Sequence, residues 1–490
     1  MSTTILFIVL VCFFGLLFGI SYFTSKNVNN ETFFTGNRRS PWYVVAFAMI
    51  GTTISGVTFI SVPGEVGNSG WTYLQFLLGN FVGYWAVALV LIPLYYKLNL
   101  VSIYTYLDQR FGVSSYKTGS FFFLISRTIG ASFRMYLVAG VLQLAFFDAL
   151  GIPFWATVAI AIFMIWAYTF RAGIKTVIWT DTLQTTFLLA SVVLTIIIIS
   201  TQLDMNFGEM VKAIDEHPYS KMFDWDWRSK TNFFKQFVAG LGIVIVMNGL
   251  DQDMMQKSLT CKNKRDAQKN IYWFSLAFII TNILFLSLGV MLYLYAQLNG
   301  IQITAKSDDF FAFLALNHFG TIAGVLFLLG IVSATYSSSD SALTALTTSF
   351  CIDFLNLDSK NPDSKTKRMK VHVGFSILMF LVIVLFRFIN NESVVTAVFR
   401  VAGYTYGPLL GLFAFGILTK KQVHDRYVPI LGLLSPVITY IININSEVWF
   451  GGYKFGFELL LLNGLIMFTG MLILTKKSNH DKSNTALPRA

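Results

Sequence analysis

Two long apolar segments of this chain are each interrupted by a short run of small and polar residues, at 51–56 (GTTISG) and at 247–252 (MNGLDQ). Inside a bilayer the backbone must find its hydrogen bonds within protein or beside a water-filled cavity, so a broken helix is tolerated only there. Each interruption opens one half of the chain, with four hydrophobic segments between them. This pattern is typical of carriers built from two inverted repeats, with solute and ion sites near mid-membrane.

The composition excludes a soluble protein, because 55% of the 490 residues are hydrophobic and only 12% are charged. Segments of about 20 apolar residues predict an all-α integral membrane protein with about 13 transmembrane helices. The two longest segments, 117–148 and 312–351, are expected to tilt or to extend past the membrane. The predicted helices lie near 4–24, 42–65, 71–97, 117–148, 151–170, 176–202, 233–255, 271–298, 312–351, 370–390, 394–418, 427–444 and 455–475.

The net charge of +11 comes from basic residues in alternate short loops, one of which we take to contain Lys257, Lys262 and Lys264. The positive-inside rule then places the N-terminus outside and the C-terminus in the cytoplasm of a bacterial-type plasma (inner) membrane. These loops are expected to set topology, and no nucleic-acid partner is predicted. Cys12, Cys261 and Cys351 show no pairing pattern and are expected to be free thiols.

A run of hydroxyl side chains, 333–341 (SATYSSSDS), lies within an otherwise apolar segment. On a helix Ala334, Ser337, Ser338 and Ser341 share one face, because they are three and four residues apart. Hydroxyl and carbonyl oxygens that face an unwound helix form a site suited to sodium. The alternative is close helix packing through small residues.

Among the ionisable residues within predicted helices, we take four as functional candidates, because a charge inside the membrane is costly. Asp181 and Asp340 would hold a cation or share a proton if they face each other. Arg127 and Arg134 are seven residues apart and suit the capture of a carboxylate. The alternatives are an interfacial carboxylate for Asp181, and an ion pair or snorkelling for the arginines.

No nucleotide-binding signature is present, and the five histidines are scattered without metal or catalytic spacing. An enzyme is therefore not predicted, and transport energy would come from an ion or solute gradient.

The chain resembles the sodium/solute symporter family along nearly its whole length. Residues 172–184 (AGIKTVIWTDTLQ) are similar to the family's G-G-x-x-A-V-x-W-T-D-x-x-Q, and 251–257 (DQDMMQK) to its N/D-Q-x-x-x-Q-R. The third match is the Ser-rich helix that ends near Asp353. The resemblance implies the leucine-transporter-type fold, with a first repeat at 42–202 and a second at 233–418. One extra helix (4–24) would precede them, and two (427–475) and a cytoplasmic tail (476–490) would follow.

The resemblance also implies sodium sites. The main site would use the carbonyls of Gly51, Ile54 and Ala334 and the hydroxyls of Ser337 and Ser338. A second sodium, found in some members, would lie among Asp181, Ser337, Asp340 and Ser341. Asp340 stands where that pattern has Ser, so it adds a negative charge that could strengthen the sodium site or carry a proton. The expected cofactor is thus Na⁺, with one or two ions per cycle.

Residues 52–63 are most similar to the first core helix of the sialic acid branch, and 62–65 also to the iodide and monocarboxylate branch. The match implies that Thr53, Ser55 and Thr58 face the substrate. The full set of candidate substrate-binding residues is Thr53, Ser55, Thr58, Gln75, Arg127, Arg134 and Asn248.

The expected activity is sodium-coupled import of a small anion, such as sialic acid or another carboxylate. A neutral sugar or polyol (galactose, glucose or myo-inositol) and a transporter-like sensor remain alternatives. A functional monomer in the lipid bilayer is expected.

Overall fold

The computed structural model describes residues 3–24, 30–169, 173–302, 307–357, 364–389 and 394–476, and these residues are almost entirely helical. The predicted all-α fold is therefore confirmed. The proposed tail beyond Lys476 and Ala172 of the Trp-Thr-Asp motif lie outside the described residues.

The helices of the first half are, in chain order, α1 (Thr3–Thr24), α2 (Asn30–Thr35), α3 (Trp42–Thr53), α4 (Gly56–Ser69), α5 (Tyr73–Ala86), α6 (Ile92–Lys97), α7 (Thr105–Arg110), α8 (Val113–Leu142), α9 (Phe154–Thr169), α10 (Gly173–Gln202) and α11 (Phe207–Glu216). The helices of the second half are α12 (Phe233–Val244), α13 (Gln252–Ser258), α14 (Lys264–Leu298), α15 (Ser307–Asn317), α16 (Gly320–Ser349), α17 (Ser364–Ile389), α18 (Val394–Thr405), α19 (Gly407–Leu418), α20 (Val428–Trp449) and α21 (Leu459–Ile473).

Both predicted interruptions are breaks between consecutive helices. Ile54 and Ser55 separate α3 from α4 with non-helical backbone angles. The helical segment Phe233–Gly249, which begins with α12, is separated from α13 by Leu250 and Asp251. The axes of this segment and of α13 differ in direction by 68°. The sequence did not predict a third bend, of 43° between α18 and α19, where Pro408 lies in the first turn of α19. Proline suits a helix start because it lacks the N–H that the first turn cannot use.

The predicted segment 312–351 is wrong at its start, because residues 312–317 belong to α15. A turn separates α15 from α16. Gly320, the first residue of α16, has a φ of +85°, a backbone conformation that would be strained for a residue with a side chain. Both α8 and α16 have 30 residues, more than the roughly 20 that an upright span needs.

Each of the predicted hydrophobic segments coincides with one helix or a pair of helices. Among the described residues, eight helices are long and apolar enough to cross a membrane, or up to ten if each bent pair is one span. Three shorter apolar helices, α3, α9 and α21, add to these. The number of crossings therefore stays a prediction.

Helix α16 is at the centre of the bundle, because every residue from Gly330 to Ser349 is buried. It packs against α10, which in turn contacts α3, and α8 packs on another side of α16. The hydroxyl run therefore faces protein on all sides rather than lipid, and its polar groups must be satisfied there.

Candidate functional site

The first break leaves helix carbonyls without their usual donors. In a continuous helix the Ser55 N–H would bond to the carbonyl of Gly51, but here it bonds to the carbonyl of Thr53 at 3.1 Å. The Ile54 carbonyl lies between the two helices, before the first turn of α4. Such carbonyl oxygens are available to a cation, as in other membrane proteins with discontinuous helices.

Glycine at position 51 lets the broken helix approach α10 and α16 closely. A Cβ atom on Gly51 would lie 2.2 Å from Thr185 Oγ1 and 3.2 Å from Ser337 Oγ. The Gly51 N–H also donates to Thr185 Oγ1 at 3.1 Å. The structure therefore brings the break directly beside the hydroxyl face of α16.

The predicted sodium ligands of α16 are all buried and lie on the helix that packs against this break. Ser337 Oγ donates to Asp181 Oδ1 at 2.7 Å and lies 3.4 Å from Thr52 Oγ1. Ser338 Oγ donates back to the Thr335 carbonyl at 3.0 Å, and Ala334 is fully buried. Gly51 and Ser337 are thus neighbours, whereas Ser338 currently bonds within its own helix.

The Asp181 carboxylate is fully buried and contacts four donor groups. Ser337 approaches Oδ1, while Thr52 Oγ1 and Ser341 Oγ lie 3.1 Å and 3.3 Å from Oδ2. The fourth donor is the ammonium of Lys257, which forms an ion pair with Oδ2 and also bonds to Thr52 Oγ1. Asp181 is therefore part of the protein interior and not an interfacial carboxylate.

The sequence predicts that Lys257 lies in a basic loop, and the structure shows that this placement is wrong. The residue lies on α13, just after the second break, and its side chain is fully buried. The misassignment arose because Lys257 precedes a cluster of basic residues that do lie beyond α13. Asp181 could have indicated that Lys257 is buried, because a carboxylate inside the protein requires a positively charged partner.

Asp340 lies on α16 and points to a different neighbour. Its Oδ2 accepts a hydrogen bond from the Tyr168 hydroxyl at 2.8 Å, and its buried Oδ1 has no hydrogen-bond partner within the described ranges. Among the described residues it forms no ion pair within 4.0 Å, since Lys257 bonds to Asp181 instead. The sequence motifs gave no indication of the tyrosine.

A cavity of about 920 Å³ lies beside the first break. Six of the seven candidate substrate-binding residues line it, namely Thr53, Ser55, Thr58, Arg127, Arg134 and Asn248. Six buried side-chain atoms of this lining have no hydrogen-bond partner among the described residues, namely Thr53 Oγ1, Asn80 Oδ1, Tyr84 Oη, Arg127 Nε, Gln236 Oε1 and Asn248 Oδ1. Unpaired buried polar atoms are costly, so their position on a cavity is compatible with a polar ligand.

Gln75 is the one candidate substrate-binding residue that does not line this cavity, and its role in binding stays a prediction. Its amide nitrogen donates to the carbonyls of Thr72 and Thr231, and its Oε1 accepts from the backbone N–H of Asp224. The side chain thus fastens the loop between α11 and α12 to α5. All of its hydrogen bonds are to backbone, so a structural role explains it.

The two arginines of α8 have different surroundings. Arg127 is buried and forms an ion pair with Asp253, with Asp251 at 3.9 Å, although both acids are distant in sequence. Arg134 is partly buried and lines the cavity. In the part of the chain that the structure describes, no carboxylate lies within ion-pair distance of it. Arg127 thus forms the ion pair that was the alternative to substrate binding, whereas Arg134 lines the cavity without a direct ion pair among the described residues.

The second break is held by side chains from the first half of the chain. The hydroxyls of Tyr95 and Tyr104 donate to the carbonyls of Gly249 and Leu250 at 2.8 and 2.9 Å. Gln252 exchanges hydrogen bonds with the backbone of Val101 and Ile103. The unwound backbone thus finds its partners inside the protein, as a membrane interior requires.

The chain is similar to known transporters over most of its length. It is 26% identical over 464 residues to the sodium/sialic acid symporter NanT of Aliivibrio fischeri, with 89% of this chain and 87% of the relative covered. It is also 26% identical over 440 residues to the sodium/sialic acid symporter SiaT of Proteus mirabilis, with 87% and 86% covered.

The fold is shared with a solved sodium-coupled sialic acid symporter in a substrate-bound, outward-open state. The TM-score is 0.82 at 21% identity, and the match covers 97% of this chain and 99% of the other. The predicted leucine-transporter-type fold is therefore confirmed. The model of the sodium:solute symporter family matches residues 33–425. The protein is thus a transporter rather than an enzyme, and it belongs to the sodium:solute symporter family.

Proposed function

We propose that this protein imports a small organic anion, such as sialic acid or another carboxylate, together with sodium. The observation that carries the choice of an anion is Arg134, whose charge faces the cavity without an acidic partner among the described residues. A guanidinium presents paired N–H donors that match the two oxygens of a carboxylate. The sialic acid relatives, similar over nearly the whole chain, support the same choice.

Sodium would bind at the first break, to the carbonyls of Gly51, Ile54 and Ala334 and the hydroxyls of Ser337 and Ser338. The displaced Ser55 N–H and the short approach of Gly51 to Ser337 support this assignment. Ser338 would exchange its bond to the Thr335 carbonyl for the ion. Sodium would then favour the state that binds solute, to the extent that it binds that state more tightly.

A neutral sugar or polyol is the second candidate. The buried unpaired atoms Thr53 Oγ1 and Asn248 Oδ1, together with the hydroxyls of Ser55 and Thr58, offer hydrogen bonds that need no charge on the solute. Uptake measurements separate the two candidates.

The membrane orientation stays as predicted from sequence, with the N-terminus outside and a cytoplasmic C-terminus in a bacterial-type inner membrane. The orientation prediction does not depend on Lys257, because four other basic residues follow α13 closely, namely Lys262, Lys264, Arg265 and Lys269. A functional monomer also remains a prediction.

The test is uptake into proteoliposomes of labelled N-acetylneuraminic acid, lactate, galactose, myo-inositol and proline. Each is measured with an inward sodium gradient and with potassium in its place. Ser338→Ala should abolish sodium-dependent uptake. Ser339→Ala is the matched control, because its hydroxyl faces Met135 on α8 and not the break; it should retain uptake.

Sodium-dependent uptake of an acid would support the proposal, and uptake of galactose or myo-inositol alone would favour the neutral candidate. Equal uptake in potassium would refute sodium coupling. Saturable binding of a solute without any uptake would favour the sensor alternative.

A further inference from the structure

The place expected for a second sodium already contains a positive charge. The residues assigned to that ion include Asp181, Ser337 and Ser341, and in the structure the two serine hydroxyls converge on the Asp181 carboxylate. The Lys257 ammonium completes the group by its ion pair with Asp181 and its bond to Thr52. An ammonium bound to a carboxylate and a hydroxyl uses the same kinds of oxygen ligand as a sodium ion.

The Asp181 carboxylate has little remaining capacity for another cation. Two carboxylate oxygens offer about four lone-pair sites. Four groups already lie within contact distance of them: the hydroxyls of Thr52, Ser337 and Ser341 and the ammonium of Lys257. The Asp181 carboxylate therefore does not fit a second sodium while the ion pair with Lys257 is present.

The ion pair is also rigidly positioned by its neighbours on α13. Gln256 donates to the Phe34 carbonyl at 2.7 Å and to Thr348 Oγ1 at 3.2 Å. Asp253, one helical turn before Lys257 on α13, is paired with Arg127 of α8. Lys257 is fully buried, so withdrawing it would leave two uncompensated charges in the interior, which is strongly unfavourable.

We infer that the Lys257 ammonium is a tethered cation that takes the place of the second sodium, so that one sodium binds per transport cycle. The inference rests on the proposed sodium coupling and specifies its stoichiometry. Lys257 acts here as a positioning residue: it joins α13 to α10 through Asp181 and to the first break through Thr52. The free ion at the first break is then the single sodium.

The test is equilibrium binding of radioactive sodium to the purified protein, counted per polypeptide, without any solute. Wild type and Lys257→Arg should bind one sodium, and Ser338→Ala should bind none. Lys257→Met should bind two, because Asp181 then lacks its internal cation. Because Lys257→Met leaves an unpaired buried charge that destabilises the fold, the neutral pair Lys257→Met with Asp181→Asn is the second variant, and it should bind one sodium.

Two sodium ions on wild type, falling to one in the neutral pair, would overturn the inference and leave sodium coupling intact. A single sodium on folded Lys257→Met would also overturn it, because the lysine would then exclude nothing. No sodium on wild type would overturn the proposed sodium coupling itself. The sodium dependence of the melting temperature gives an independent readout, with a Hill coefficient near one expected for wild type.

Discussion

Arg134 and Arg127 lie on the same helix, two turns apart. Replacing Arg134 with glutamine should affect solute binding, whereas the same change at Arg127 should affect stability. Arg134 faces the cavity without an acidic partner in the described part of the chain, so Arg134→Gln should weaken binding of the anion. Arg127 is the buried partner of Asp253, so Arg127→Gln should lower stability.

The expected magnitudes follow from these surroundings. A hydrogen bond to a charged group contributes about 1.5–3 kcal/mol. Since every 1.4 kcal/mol changes an affinity about tenfold, Arg134→Gln should raise the Kd for a carboxylate by about 10- to 150-fold. Removing one partner of a buried ion pair costs about 3–5 kcal/mol, and Arg127→Gln should lose stability of that order because Asp253 stays buried.

The assay combines equilibrium binding of labelled N-acetylneuraminic acid and galactose with thermal unfolding of the same purified samples. Arg134→Gln should lose affinity for the acid while its melting temperature stays near that of wild type. Arg127→Gln should melt at a clearly lower temperature. The reasoning would be refuted if Arg134→Gln bound the acid as well as wild type, or if Arg127→Gln were as stable as wild type.

Three further predictions concern the first break, the Lys257–Asp181 ion pair and the loop between α11 and α12. Gly51→Ala would place a methyl group 2.2 Å from a threonine hydroxyl of α10, so overpacking should cost about 1–3 kcal/mol and weaken sodium binding. Gly19→Ala, whose added atom would meet nothing within 4 Å, should leave melting temperature and sodium affinity unchanged. In a thermal double-mutant cycle, Lys257→Met should be strongly destabilising alone and much less so together with Asp181→Asn; additive losses would contradict a direct pair. Gln75→Leu should destabilise by about 1–3 kcal/mol by leaving backbone groups unpaired, with unchanged solute affinity; a loss of affinity without a stability change would return Gln75 to the binding site.

Local sequence patterns are sufficient to predict most of the helical segments and both interruptions, although not the division between α15 and α16. Apolar segment length sets which parts of the chain cross the membrane, and small or polar residues such as Gly51 and Asn248 mark where a helix can open. The spacing of Ser337 and Ser341 likewise predicts that they share a face of α16, and both hydroxyls contact Asp181. These features depend on residues close together in the chain.

The partners of the charged residues could not be predicted in the same way, because they are distant in sequence. Asp253 lies 126 residues after Arg127, and Lys257 lies 76 residues after Asp181. A lysine next to a basic loop has the same local pattern whether it sits in water or in the core. The bend before α19 was also not predicted from sequence. A proline within an apolar segment can lie inside one helix or at the start of a new one, and the local sequence around Pro408 does not distinguish the two.

The tethered ammonium of Lys257 has a consequence for the driving force of transport. An ion that crosses with the solute contributes both its concentration gradient and the membrane voltage, which is about 2.3 kcal/mol per charge per 100 mV. A lysine remains with the protein, so it neutralises Asp181 without contributing to either. One sodium carried with a singly charged anion moves no net charge, so accumulation would follow the sodium concentration ratio and be independent of voltage. A carrier with a fixed cation in place of a second sodium would therefore reach a lower accumulation ratio of the solute, but its transport cycle would not depolarise the membrane.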